Sequence, residues 1–178
     1  MKSLDRREEP IARHHDRESF DCGSAALNQY LQRYARQNHE VGGAKTFVAV
    51  APDAPTGVLG FYSISPGSLA FDRTPETLTK KLGRYDVPVF RLGRLAVDLT
   101  VQRRGLGSDL LLAAGARALA VAAQVGGVAL AIDAKDERAA RWYQRFGALA
   151  LMDDPLKLVL PLAIIAKAIT RVEKRPSK

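Results

Sequence analysis

The sequence predicts an α/β fold in one domain: a strand hairpin followed by strand–helix–strand–helix–strand. Three observations carry that expectation. Apolar residues cluster in short β-rich runs in some segments and recur at three- and four-residue steps in others. Turn signals, Gly42-Gly43, Pro52–Pro55 and Gly126-Gly127, fall between those segments. The chain has 178 residues and is 47% hydrophobic, enough to fill one core and too short for a second domain.

A helix is expected from Asp21 to Asn38, opening after Asp21-Cys22-Gly23-Ser24, with Leu27, Tyr30, Leu31 and Tyr34 as one apolar stripe. Gly42-Gly43 ends it. Thr46–Val50 reads as a strand, Pro52–Pro55 as a turn, and Val58–Ser63 as the returning strand of an antiparallel hairpin. Residues 71–86 are polar and carry Lys80, Lys81 and Arg84, a pattern open to a short helix or a loop. Val87–Val97 reads as a strand ending in Leu95-Ala96-Val97. A Gly-rich turn follows, then a helix over Gly107–Ala123 with Leu110, Leu111, Ala114, Ala118 and Leu119 inward. Gly126-Gly127 stops it, and Val128–Ile132 is a short buried strand. Asp136–Phe146 is the next helix, stopped by Gly147, and Leu156–Leu160 is the last strand. The basic tail to Lys178 is expected to be helical and then frayed.

Composition narrows the chemistry. One cysteine, Cys22, allows no internal disulfide and no multi-cysteine zinc site. His14, His15 and His39 lack the spacing of a metal-binding helix, so no metal is expected. The apolar stretches Ala118–Ile132 and Leu156–Ile169 are interrupted by Gln124, Gly126 and Gly127, and by Lys157, Pro161 and Lys167. No membrane span is expected, and the charged start MKSLDRREEP does not resemble a signal peptide, so a cytoplasmic location is expected. The net charge of +8 and pI of about 9.9 suit polyanionic partners or phosphorylated cofactors, but charge alone favours the plainer reading of a solvated surface.

Two segments carry chemistry. In the first, the run Arg94-Leu95-Ala96-Val97-Asp98 leads into Gln102-Arg103-Arg104-Gly105-Leu106-Gly107-Ser108, where a helix begins. Glycines there let main-chain N–H groups approach an anion, the helix N-terminus adds unpaired N–H groups, and the two arginines add charge. No Gly-Lys-Ser/Thr follows, so this is not a Walker loop, and the third glycine of a dinucleotide fingerprint is absent. Gly-x-Gly alone also fits a plain strand-to-helix turn. In the second, Trp142-Tyr143 precedes Phe146-Gly147-Ala148. Ala139, Trp142, Tyr143 and Phe146 share a helix face, which core packing alone would explain.

Together these strings resemble the GNAT acyltransferases, whose Gln/Arg-x-x-Gly-x-Gly/Ala loop is matched by Gln102, Gly105 and Gly107. The resemblance implies a mixed, mostly antiparallel sheet flanked by helices, with the cofactor at a splayed strand pair. It implies acetyl-CoA bound along Leu95, Ala96, Val97, Gln102, Arg103, Arg104, Gly105, Leu106, Gly107 and Ser108, with pyrophosphate at the loop. It makes Tyr143 the proton donor to the departing thiolate and a free N–H near Val97 the oxyanion donor. Ala148 departs from the pattern, which has an aromatic there. Phe20-Asp21-Cys22-Gly23, Leu27-Asn28-x-Tyr30-Leu31 and Ala35-x-x-Asn38 resemble, more narrowly, the GNAT toxins of toxin–antitoxin modules. That implies acetylation of the amino group of aminoacyl-tRNA, a ribbon-helix-helix antitoxin as partner, and a homodimer. Arg33, Arg36, Lys45, Lys80, Lys81, Arg84, Arg91 and the tail Lys167–Lys178 are candidate contacts to tRNA phosphates if they form one patch. A housekeeping GNAT enzyme acting on a protein or small-molecule amine, and a non-enzymatic basic RNA-binding module, stand as alternatives.

Overall fold

The computed structural model describes residues 4–174. Seven strands hydrogen-bond in the order β1-β2-β3-β4-β5-β7-β6. They are β1 (Arg7–Pro10), β2 (Lys45–Ala51), β3 (Ala54–Leu69), β4 (Val87–Val97), β5 (Ala129–Asp133), β6 (Leu149–Leu151) and β7 (Asp154–Pro161). The helices are α1 (Ala25–Gln29), α2 (Ala35–Val41), α3 (Glu76–Thr79), α4 (Leu106–Val125), α5 (Glu137–Gln144) and α6 (Leu162–Glu173). Contacts divide the chain into two compact units, one from Met1–Ser65 with Gly93–Ala113, the other from Pro66–Leu92 with Ala114–Lys178.

In the first unit β1, β2 and the start of β3 pair antiparallel. Phe20, Leu31, Ala35, Val48, Val50, Phe61 and Ala96 are buried in one cluster. α1 and α2 are joined by a π-helical turn, Tyr30–Tyr34, in which the Ala35 N–H donates to Tyr30 O. That turn corrects the expected stripe. A five-residue step brings Ala35 (0% exposed) to the inward face, while Tyr34 is turned out at 51% exposed. Gly42 then closes the helix in the left-handed conformation, at φ 82°.

Gly60 is where the first unit is packed most closely. A Cβ there would stand 2.9 Å from the Ala96 carbonyl oxygen, 2.9 Å from Leu110 Cδ1 and 3.3 Å from Leu106 Cδ2. The carbonyl belongs to the strand backbone and cannot rotate away. Gly60→Val should therefore cost about 1–3 kcal/mol by overpacking, read as a lower midpoint in urea unfolding.

In the second unit β5 pairs parallel with β4, and antiparallel with β7, which also takes β6. Val87, Val89, Ala129, Ala131, Leu151 and Val159 form its buried cluster. Gly115 lets α4 approach α6: an added Cβ would meet Ile165 Cγ2 at 2.6 Å. The region left open by the sequence holds a 3-10 turn, Phe71–Arg73, and the single-turn α3. β1 and β6 were not expected; each is short, and the edge pairing that makes them strands leaves no local signature. The helical part of the basic tail is α6, which ends at Glu173, and residues 175–178 lie outside the described residues.

By length and composition α4 is apolar enough to cross a membrane, although no apolar stretch was expected to be; it overlaps Ala118–Ile132, read as interrupted, but begins earlier, at Leu106. Its residues Leu106, Leu110, Leu111, Ala114 and Ala118 are nevertheless buried in the fold at helical spacing, and Asp109 and Arg117 interrupt it.

Candidate active site

The loop before α4 is built from both of the distinctive sequence blocks. After β4, Asp98 caps a 3-10 turn, Leu99–Val101, by accepting from the Thr100 N–H (3.0 Å) and the Thr100 hydroxyl (2.6 Å). Its other oxygen accepts from the Asp21 N–H at 3.0 Å, and the Leu99 N–H donates to the Asp21 carbonyl at 2.8 Å. The Gln102 side-chain amide donates to the Cys22 carbonyl (3.1 Å) and the Val97 carbonyl (2.9 Å). Asp21 in turn accepts from the Gly23 N–H and the Asn28 amide, both at 2.8 Å, while Asn28 accepts from the Cys22 N–H at 2.9 Å. The segment 20–28 thus clamps the end of β4 and the start of the loop.

Two consequences follow for the sequence-predicted residues. Gln102 braces the loop through its side chain, so its contribution to an anion site is positional. Cys22 is likewise structural, its carbonyl and N–H both held and its thiol 3.8 Å from the Ser24 carbonyl. Asp21 and Asp98 were not singled out from sequence. The available signal was local: Asp-x-Thr and Asp-x-Gly are short turns closed by the carboxylate.

Beyond the clamp, Arg103 adopts φ 61° and Gly105 φ 88°. A Cβ on Gly105 would meet nothing within 4 Å, so glycine is needed there for its backbone and not for space. The Asp109 N–H donates to the Gly105 carbonyl at 3.2 Å, which makes Gly105 the residue flanking α4. The N–H groups of Leu106, Gly107 and Ser108 then belong to the first turn, where no intrahelical acceptor exists. Arg103 and Arg104 are exposed beside them, while Arg6 pairs with Asp109 at 2.9 Å and neutralises the one acid of that turn. This loop can hold an anion.

The ladder between β4 and β5 begins at Val89↔Ala129 and stops at Leu92↔Ile132. β4 runs on to Val97, so its residues 93–97, including Leu95, Ala96 and Val97, have no β5 partner in that ladder. Such a stretch keeps main-chain groups available to a ligand.

In the second unit Asp136 caps α5 by accepting from the Ala139 N–H at 2.7 Å. The other end closes on Gly147, at φ 97°. The Gly147 N–H donates to the Gln144 carbonyl (3.0 Å) and the Ala148 N–H to the Tyr143 carbonyl (3.3 Å), the paired bonds of a Schellman cap. An added Cβ on Gly147 would touch Ile164 of α6 at 3.0 Å. Ala148 is buried at 4% exposure, so the small residue in place of an aromatic fits the cap. Trp142 meets Tyr143 and Phe146 edge-on, with centroids 4.9 and 4.8 Å apart. Tyr143 is buried, and burial pushes its hydroxyl up to about 12. It stays protonated across the physiological range, as a donor must.

The fold also gathers Glu9, His14 and His15, whose ligand atoms lie within 4.8 Å of one another, an arrangement the sequence spacing did not suggest. The Ala12 N–H donates to His15 Nδ1 at 2.9 Å, so the ring proton sits on Nε2 and is shared with Glu9 at 2.7 Å. Both nitrogens are engaged. A cation at Nε2 would require a proton on Nδ1, facing the Ala12 N–H, so the cluster is a hydrogen-bonded strut.

The clamp carries a pH dependence. The Gly23 N–H, then the Asn28 amide, holds the Asp21 carboxyl below its usual range; Glu9 is held low first by His15. Their folded values lie below the unfolded ones, so their stabilisation is complete above about pH 4–5 and is lost as pH falls through the folded values. Acid titration of the unfolding midpoint should show that loss, and Asp21→Asn should make the acid-side decline shallower.

Of the basic residues singled out for tRNA, Arg33, Lys45, Lys80, Lys81, Arg84 and Arg91 are exposed. Arg36 is paired with Glu40 and Arg91 with Asp133, so each of those two has an acid beside it.

A β4–β5 ladder that ends early, followed by a glycine turn opening a long helix, is the layout of an acyltransferase fold. The chain belongs to the acetyltransferase (GNAT) family, whose family model matches residues 9–148. It is 37% identical over 142 residues to the tRNA-acetylating toxin of Mycobacterium tuberculosis, covering 80% of this chain and 83% of that protein. A solved structure of a tyrosine-to-phenylalanine mutant of KacT superposes with a TM-score of 0.86 at 28% identity, covering 92% of this chain and 99% of that one. AtaT complexed with acetyl-methionyl-tRNAfMet gives 0.84 at 25% identity, over 96% and 100% of the two chains. A mutant of AtaT bound to the C-terminus of the antitoxin AtaR and acetyl-CoA shares the fold, with a TM-score of 0.79 at 24% identity over 93% and 99%. These neighbours include complexes with an acetyl-aminoacyl-tRNA and with an antitoxin.

Proposed function

We propose that this chain transfers the acetyl group of acetyl-CoA to the α-amino group of aminoacyl-tRNA and thereby blocks translation. The observation that carries this reading is the 37% identity, across four-fifths of the chain, to a protein named for acetylating tRNA. The clamp formed by residues 20–28 on the loop supports it, since that segment carries part of the sequence resemblance to the toxins. We propose further that residues 1–178 act as one catalytic domain in the cytoplasm, as a homodimer held in check by a ribbon-helix-helix antitoxin.

In this reading the first-turn N–H groups of α4, with Arg103 and Arg104, hold the pyrophosphate of acetyl-CoA. Leu95, Ala96 and Val97 flank the pantetheine arm, and the Val97 N–H donates to the thioester oxygen as it becomes an oxyanion. A neutral α-amine attacks the carbonyl carbon, the C–S bond breaks, and the thiolate takes the Tyr143 proton. The new amide nitrogen loses one proton, which restores the tyrosine, so acetyl transfer leaves no net charge behind. An α-amino group with a pKa of about 7.7–8.0 is partly neutral near pH 7, so no strong base is needed.

The reading is tested by giving the purified protein acetyl-CoA with charged tRNA, the same tRNA stripped of its amino acid, free amino acids and lysine peptides. Charged tRNA alone should be labelled, with binding that weakens as salt rises because neutralised phosphates release counterions. Labelling of free amines with charged tRNA ignored would establish the housekeeping activity instead.

A further inference from the structure

We infer that Arg94 recognises the 5′-phosphate of the terminal nucleotide that bears the amino acid; this rests on the aminoacyl-tRNA reading above. Arg94 lies on β4, and its guanidinium carbon stands 4.1 Å above the centroid of the Tyr30 ring. That ring is fixed from below. Its hydroxyl accepts from Ser63 at 3.2 Å, the Ser63 and Thr46 hydroxyls are 2.7 Å apart, and both residues are buried, at 1% and 0% exposure. Phe61 stacks beside the same ring with centroids 6.2 Å apart. A chain of buried hydroxyls thus orients the tyrosine, and the tyrosine orients the arginine.

This cation–π mounting occupies no carboxylate or carbonyl acceptor, so the guanidinium's N–H donors remain to be used. Arg94 is exposed, and among the described residues it has no carboxylate partner. Arg36, Arg73 and Arg91 contrast with it, being paired with Glu40, Asp153 and Asp133. A solvated arginine with no further role needs no fixed ring beneath it. A guanidinium seated on a fixed ring and left un-neutralised suits a charge-assisted grip on a phosphate.

Spacing names which phosphate. Arg94 precedes Val97 by three strand residues, about 10 Å of backbone. In an aminoacyl nucleotide the α-nitrogen is joined to the 5′-phosphorus through the ester and the ribose, a covalent reach of about 10 Å when extended. With the reacting carbonyl at Val97, the first phosphate of the acceptor falls within reach of Arg94.

The test compares 3′-O-aminoacyl adenosine with its 5′-monophosphate as acceptors, which differ only in that phosphate. The wild-type protein should favour the monophosphate by about ten- to a hundredfold in kcat/KM, chiefly through KM, as expected for a charge-assisted hydrogen bond. Arg94→Gln, which keeps a polar planar end without the charge, should erase the preference while the phosphate-free acceptor reacts at its wild-type rate. Arg94→Lys should restore part of it, and thermal midpoints of both variants should match wild type. Equal loss on both acceptors would make Arg94 a structural or catalytic element and overturn the assignment. Retention of the preference in Arg94→Gln, or its absence in the wild-type protein, would do the same while leaving charged-tRNA acetylation standing. A wild-type protein inactive on every aminoacyl acceptor would overturn the substrate reading together with this one.

Discussion

Tyr143→Phe should lower turnover by about 10²–10⁴-fold, the usual contribution of a positioned acid–base group, while binding acetyl-CoA almost as wild type does. Phenylalanine keeps the ring that meets Trp142 edge-on, and the cap that holds the end of α5 is made of main-chain bonds at Gly147 and Ala148. Only the hydroxyl is lost. Its proton is retained to about 12, so the wild-type rate should rise with pH as the amine is deprotonated and show no falling limb until the tyrosine itself titrates. Single-turnover kinetics on the folded variant provide the check. Near wild-type turnover would reduce Tyr143 to a core residue, whereas loss of acetyl-CoA binding would make its role one of positioning.

The second large effect is expected at the loop. Gly107→Val should reduce acetyl-CoA affinity by at least about tenfold, because a branched side chain would project from the first turn of α4 where the pyrophosphate must meet main-chain N–H groups. Each factor of ten corresponds to about 1.4 kcal/mol, within the worth of one charge-assisted hydrogen bond. Calorimetric titration with acetyl-CoA measures it, with circular dichroism confirming the fold. A folded variant with unchanged affinity would remove the pyrophosphate from this loop.

Much of this was legible in the residues because it is encoded locally. Val87–Val97 is bounded as a strand by its own apolar, β-branched run, and β4 has those limits. Gly42 and Gly147 mark helix ends because both sit at positive φ, a requirement the sequence states directly. What was not legible depends on partners distant in sequence. β3 runs from Ala54 to Leu69, past both ends of the Val58–Ser63 read from apolar content, because β2 pairs with it from Ala54 to Ile64 and β4 is its neighbour on the other side. A straight α-helix would place Tyr34 inward, and the π turn at Tyr30–Tyr34 shifts the face by one residue. The motif marks Gln102 for the cofactor loop, but it does not reveal that the side-chain amide reaches back to the Cys22 and Val97 carbonyls. The pairing of Arg36 with Glu40 and of Arg91 with Asp133 is likewise invisible in composition, which counts those two among the candidate phosphate contacts.

The central claim is that acetyl goes to the α-nitrogen of the amino acid on charged tRNA. The most direct measurement is to react the protein with acetyl-CoA and charged tRNA, cut the product with nuclease, and identify the terminal nucleoside by mass spectrometry. N-acetyl-aminoacyl adenosine, formed by the wild-type protein and nearly absent with Tyr143→Phe, is the predicted product. Acetyl found on a nucleobase or on a side-chain amine, with the α-amino group left free, would contradict it.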